Sequence, residues 1–119
     1  MKSQYKSVYQ HATKLNGAVE DFPFGPEAQV FKVCGKMFML LAVEDKPARV
    51  TLKCEPEEAV QLCDQYSSVS PGYYMNKKHW ITIVLDGELS TSLLISLLDD
   101  SYNLIVKKLT KKDRASLVN

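Results

Sequence analysis

Apolar residues recur at three- and four-residue intervals near the start of the chain, at Tyr5, Val8, Tyr9, Ala12 and Leu15. This spacing predicts an amphipathic helix over residues 3–16 that ends at Asn16-Gly17. The two prolines of Phe22-Pro23-Phe24-Gly25-Pro26 lack amide donors, so this stretch is expected to be a packed loop. The period then changes. Residues 29–34 and 36–43 read as two strands joined at Gly35, the second apolar from Met37 to Val43, as in a strand covered on both faces. After a turn at Glu44-Asp45-Lys46-Pro47, the run Arg49-Val50-Thr51-Leu52-Lys53 alternates polar and apolar with period two.

A second helix is expected over about 56–67, with Pro56 at a first helical position, acids in the first turn, and Ala59, Leu62, Cys63 and Tyr66 on one stripe. Ser70-Pro71-Gly72 reads as a break and Tyr73-Tyr74-Met75 as a short aromatic strand. Asn76-Lys77-Lys78 reads as the turn into a β-branched strand from His79 to Leu85. The Ser/Thr cluster at 90–92 caps a last long helix that buries Leu94, Leu97, Leu98, Ile105 and Leu109, with a short basic helix after it. The resulting order is α-β-β-β-α-β-β-α. A run of antiparallel strands with amphipathic helices predicts an α+β two-layer sandwich, an antiparallel sheet with helices on one face.

Strand parity sharpens this. If Val50 and Leu52 face inward with Phe31, Val33, Ile81, Ile83 and Leu85, then Lys32, Arg49, Thr51, Lys53, Trp80 and Thr82 face outward. That outer set is basic and aromatic, the combination that meets phosphate backbones and unstacked bases.

Composition sets the bounds. The 119 residues, 45% hydrophobic and 24% charged, suit a single domain over residues 1–119 and exclude disordered and fibrous classes. No apolar run reaches the ~18–20 residues that span a bilayer, and Met1-Lys2-Ser3-Gln4-Tyr5 lacks the apolar core of a signal peptide, so a cytoplasmic location without membrane attachment is expected. Cys34, Cys54 and Cys63 are odd in number and lack chelating spacing, which predicts reduced thiols and no zinc. The net charge is only +1. Its distribution is uneven: residues 55–76 carry four acids and no base, while Lys107, Lys108, Lys111, Lys112 and Arg114 crowd the C-terminal end.

Catalytic chemistry finds little in this chain. His11 and His79 are its two histidines, and neither stands in a motif with a nucleophile. Asp99 and Asp100, adjacent on a helix, point about 100° apart and make poor paired ligands. The five glycines form no phosphate-binding loop. The expectation is therefore a protein that is not an enzyme, with no catalytic residue, no metal and no cofactor.

Several segments together resemble one family: Phe22-Pro23-Phe24-Gly25-Pro26; Lys32-Val33 and Lys36-Met37-Phe38; Lys46-Pro47 followed by Val50, Leu52-Lys53 and Pro56-Glu57; Pro71 with Tyr74-Met75-Asn76-Lys77 and His79-Trp80; and Asp99-Asp100 with Ser101-Tyr102. They are similar to the MmcQ/YjbR family over nearly the whole chain, the Asn-Lys-x-His-Trp order being the most specific element. The resemblance implies a bacterial protein of frataxin-like fold that binds DNA through two β-hairpin wings, here the hairpins turning at residues 44–47 and 76–78. Combined with the basic and aromatic outer set, it nominates Lys32, Lys46, Arg49, Lys53, Tyr74, Asn76, Lys77, Lys78, His79 and Trp80 as nucleic-acid contacts. The near-neutral total and the acids Glu44 and Asp45 at the first tip imply weak binding to DNA with slight sequence preference, by a monomer. The alternative is a small-molecule or protein-partner module without catalytic activity. An iron-binding role like that of frataxin would need acids on the first helix, and residues 3–16 hold none.

Overall fold

The alternating segments at residues 49–53 and 80–84 form two adjacent interior strands of a six-stranded antiparallel sheet in a computed structural model that describes residues 2–23, 25, 28–42, 47–72 and 78–117. The elements are α1 (Lys2–Lys14), β1 (Ala18–Asp21), β2 (Ala28–Val33), β3 (Lys36–Ala42), β4 (Arg49–Lys53), α2 (Pro56–Gln65), β5 (Val69–Pro71), β6 (Trp80–Val84), α3 (Thr91–Lys107) and α4 (Lys111–Ser116). The strands lie in the order β1-β2-β3-β4-β6-β5.

Parity works as expected on the inner face. Phe31, Met39, Leu41, Val50, Leu52, Ile81 and Ile83 are all buried in one core with Val8 and Ala12 of α1, and with Leu94, Leu97 and Leu98 of α3. Ala59 and Leu62 of α2 and Val69 of β5 join the same core. Apolar area removed from water at about 25 cal/mol per Å² is what holds these layers together.

Two strands differ from the sequence reading. The first, β1, pairs with β2 from Ala18↔Val33 to Asp21↔Val30, directly after the turn at Gly17, whose φ is +77°. The second is the partner of β6. It is Val69–Pro71, upstream of the aromatic run; residues 73–77, including the expected strand Tyr73-Tyr74-Met75, lie outside the described residues. Pro71 does not break the sheet, because β5 is its edge and a missing amide there leaves no rung unfilled. The outer face differs as well. Thr51 was expected to face solvent, yet it is buried and shares a 3.0 Å hydroxyl contact with Thr82 across the β4–β6 pair.

A bulge shapes one end of the sheet. Phe31 pairs with Met39 and Lys32 with Met37, so Phe38 has no partner of its own, and both Phe38 and Met39 turn inward. The β3–β4 ladder stops at Met39↔Leu52. Beyond it, the buried Ser101 of α3 fills the gap: its Oγ donates to the Phe38 carbonyl at 2.6 Å and accepts from the Lys53 amide at 2.9 Å. One hydroxyl thus replaces a missing backbone rung and ties α3 to both strands.

Candidate nucleic-acid interface

The register gathers positive charge at a single end of the sheet. Lys53 closes β4 and stands opposite Trp80, which opens β6. Its ammonium lies 5.5 Å from the centroid of the Trp80 ring, a cation–π contact. Two backbone bonds fix this corner: the Cys54 amide donates to the His79 carbonyl at 2.8 Å, and the Gly72 amide donates to the Trp80 carbonyl at 2.8 Å. A Cβ on Gly72 would come within 2.9 Å of the Trp80 Cβ and 3.2 Å of its backbone, so only glycine lets the β5 end approach the tryptophan this closely.

Two further lysines arrive from other elements. Lys36 begins β3 just after the Cys34-Gly35 turn, and Lys108 caps the C-terminus of α3. With Lys53 they line a hollow of about 220 Å³ whose floor is Ile105 and Leu109. Among the described residues, no carboxylate lies within ion-pair distance of Lys36, Lys53 or Lys108. Partial burial and the nearby Lys108 charge pull the Lys53 ammonium below its ordinary value, and Glu55 offsets this only in part. Lys78 is exposed and His79 half-buried at the same end, immediately before Trp80.

The nominated residues therefore separate. Lys53, His79 and Trp80 come together, while Lys78 lines a different hollow beside α2. Arg49 is exposed at the other end of β4, opposite Ala42 and Val84, about 13 Å along the strand at ~3.3 Å per residue. Lys32 is engaged elsewhere, its Nζ donating to Asp21 Oδ2 of β1 at 3.2 Å. Lys46, Tyr74, Asn76 and Lys77, with the turns at 44–46 and 76–77, lie outside the described residues. Sequence reasoning missed Lys36 and Lys108. A signal for Lys36 existed, since a residue that follows the Cys34-Gly35 turn must begin its strand beside the end of β4. Lys108 needed the length and direction of α3.

The other titratable groups make structural contacts. His11 Nε2 and Asp99 Oδ1 meet at 2.6 Å and join α1 to α3. Burial, with Glu58 beside it, pushes the Cys54 thiol up to about 12, which leaves it an inert thiol at neutral pH. Cys34, Cys54 and Cys63 are all free and belong to different segments. Among the described residues no group of three or more His, Cys, Asp or Glu side chains could hold a metal ion, and no helix is long and apolar enough to cross a membrane.

The fold recurs in the crystal structure of Deinococcus radiodurans protein DR2400. That chain superposes with a TM-score of 0.87 at 39% identity, over 95% of this chain and 86% of the other. A crystal structure of a Pseudomonas syringae protein superposes with a TM-score of 0.72 at 29% identity, covering 83% of this chain and 96% of that one. In sequence, the uncharacterised Escherichia coli K12 protein YjbR is 44% identical over 112 residues, 93% of this chain and 94% of that one. The YjbR family profile matches residues 13–104, from the end of α1 to within α3. With its α+β architecture and its relatives in agreement, the chain belongs to the YjbR family.

Proposed function

We propose that this chain is a non-enzymatic nucleic-acid-binding protein that uses the basic end of its sheet. The observation that carries this reading is the stacked pair of Lys53 and Trp80, flanked by Lys36 and Lys108 without carboxylate partners among the described residues. An indole offers a π-face to any base, and ammonium groups beside it neutralise phosphates, so binding tolerates sequence and falls with salt. Of the two hairpin wings implied by the family resemblance, the one at residues 76–78 leads into Trp80 and would extend this interface through Lys77 and Tyr74, whereas the one at residues 44–47 joins the Ala42 and Arg49 ends of β3 and β4, the opposite end of the sheet. DNA is the expected partner, bound weakly.

Trp80 is the chain's one tryptophan, which gives the test a direct readout. Labelled single strand and duplex are titrated at low salt, with anisotropy and intrinsic fluorescence recorded together. Binding with quenching of Trp80 is expected, with a slope of log K against log salt of about −3 to −4 on duplex for four phosphate contacts. No response from either nucleic acid at high micromolar protein would reject the reading. It would favour a partner module instead, for which the hollow of about 480 Å³ lined by Pro56, Ala59, Val60, Cys63 and Pro71, with Asp64 and Lys78, is the corresponding surface, with Val60 left 62% exposed.

A further inference from the structure

We infer that the hollow bounded by Lys36, Lys53 and Lys108 is a binding site for a phosphomonoester, the doubly charged end group of a nucleotide or of a phosphorylated strand. The inference deepens the nucleic-acid reading and rests on it only for the carrier of that phosphate.

Three features single out this ligand class. First, three lysines from three elements, the start of β3, the end of β4 and the cap of α3, line one space of about 220 Å³. At ~30 Å³ per water that space holds several solvent molecules, room for a tetrahedral anion with part of its hydration. Second, the charge is only partly compensated: no carboxylate among the described residues lies within ion-pair distance of any of the three, and burial, then the Lys108 charge, hold Lys53 below its ordinary value, which Glu55 offsets only in part. Third, the floor is apolar. Ile105 and Leu109 are both buried, so an anion seated over them meets the lysines in a lower dielectric than bulk water.

The donor type narrows the class further. Lysines are compact point charges that suit a tetrahedral group approached from several directions, whereas a lone carboxylate is matched by the planar fork of arginine, and the hollow has none. A monoester carries nearly two charges at neutral pH and satisfies three cations better than the single charge of a backbone diester. Lys53 also touches Trp80, so the phosphate site adjoins the stacking surface.

The test has two parts. Inorganic phosphate is titrated at constant ionic strength while the methyl resonances of Ile105 and Leu109 are followed. Labelled oligonucleotides with a 5′-phosphate or a 5′-hydroxyl are then compared, with a nucleoside monophosphate as competitor. Saturable methyl shifts are expected. They should disappear in Lys36→Gln/Lys108→Gln and persist in Lys111→Gln/Lys112→Gln, which removes equal charge from exposed positions on α4. A 5′-phosphate should tighten strand binding by about tenfold, and the first double variant should abolish that gain.

If phosphate leaves both methyl resonances in place, or shifts them equally in the two double variants, the site is overturned, whether or not strands bind. If phosphate binds and neither strand does, the nucleic-acid reading falls and the site stands as one for a free phosphomonoester. If phosphate binds and the two strands bind equally, both readings stand, with the hollow serving the free nucleotide rather than the strand end.

Discussion

At the end of β6 that leads into α3, Asp86 and Glu88 are held by a closed set of donors. The Ser68 hydroxyl donates to both Asp86 oxygens at 2.8 and 2.6 Å, and the Ser68 amide donates to Glu88 at 2.7 Å. The Glu88 amide donates to Asp86 at 3.0 Å, and Ser67 donates to Glu88 with both its amide and its hydroxyl. At the opposite end of the same strand, Lys36, Lys53 and Lys108 line one hollow. Both ends concentrate one sign of charge. The acids have local partners that hold their carboxyls below the ordinary range, whereas the Lys53 ammonium is displaced toward its neutral form. Charge that is satisfied within the fold stabilises a turn, and charge left unsatisfied costs stability unless something outside the chain supplies the counter-charge.

At the lysine end, Ser101 bridges β3 and β4 where their ladder stops. Ser101→Ala leaves the Lys53 amide and the Phe38 carbonyl unsatisfied in a buried gap, and a loss of about 2–4 kcal/mol is expected in urea melts. A loss below 1 kcal/mol would mean that β3 and β4 can close the rung themselves. Next in size is Gly72→Ala. The added methyl meets the Trp80 Cβ and backbone, and a destabilisation of about 1–3 kcal/mol is expected, with a shift in Trp80 emission. An unchanged emission spectrum would show that the Lys53–Trp80 corner does not depend on the close approach of β5.

What the sequence revealed of these two ends follows from how local their signals are. The cross-strand meeting of Lys53 and Trp80 follows from parity and one register, both legible in alternating segments. The strand Ala18–Asp21 is four residues long and carries two acids, as short edge strands do to resist further pairing, and so it has no apolar alternation to betray it. Pro71 gave a break signal because proline forbids an interior strand, and nothing local to Ser70-Pro71-Gly72 says that the strand is an edge. Lys36 and Lys108 are 72 residues apart in sequence and meet only because α3 runs its full 17 residues back across the sheet. Ser101 lay within a motif of the family resemblance, yet its bridging of two strands depends on the bulge at Phe38, a tertiary event.

The acid end offers a pH test. Hydrogen bonds, first of all from Ser68, lower the pKa of both Asp86 and Glu88 from ordinary values of 3.8 and 4.5. A lowered folded pKa contributes stability that is fully present above the unfolded value and is lost as the pH falls through the folded one. Ser68→Ala is therefore expected to lower stability slightly at pH 7, with the gap from the parent closing as the pH falls below the ordinary carboxylate range and the carboxylates protonate. Both groups are largely solvated, which keeps the effect small. A gap that stays constant down to pH 2 would show that Ser68 acts through packing alone.

The smallest effect belongs to the lysine end and has the opposite sign. For a base whose folded pKa is depressed, the cost is present while the group must stay protonated, and it is relieved as the pH rises through the folded value toward 10.5. Replacing Lys36 and Lys108 by glutamine removes like charge and leaves the burial of Lys53 in place. The Lys53 ammonium should then titrate closer to its ordinary value, as followed by the chemical shift of its Cε. Stability at neutral pH should hold or rise by a few tenths of a kcal/mol, as expected for exposed charges in water. A clear loss of stability, or a Lys53 titration displaced further downward, would place these lysines in ion pairs that hold the fold together. The lysine end would then be built on the same principle as the Asp86–Glu88 turn, and the contrast between the two ends would vanish.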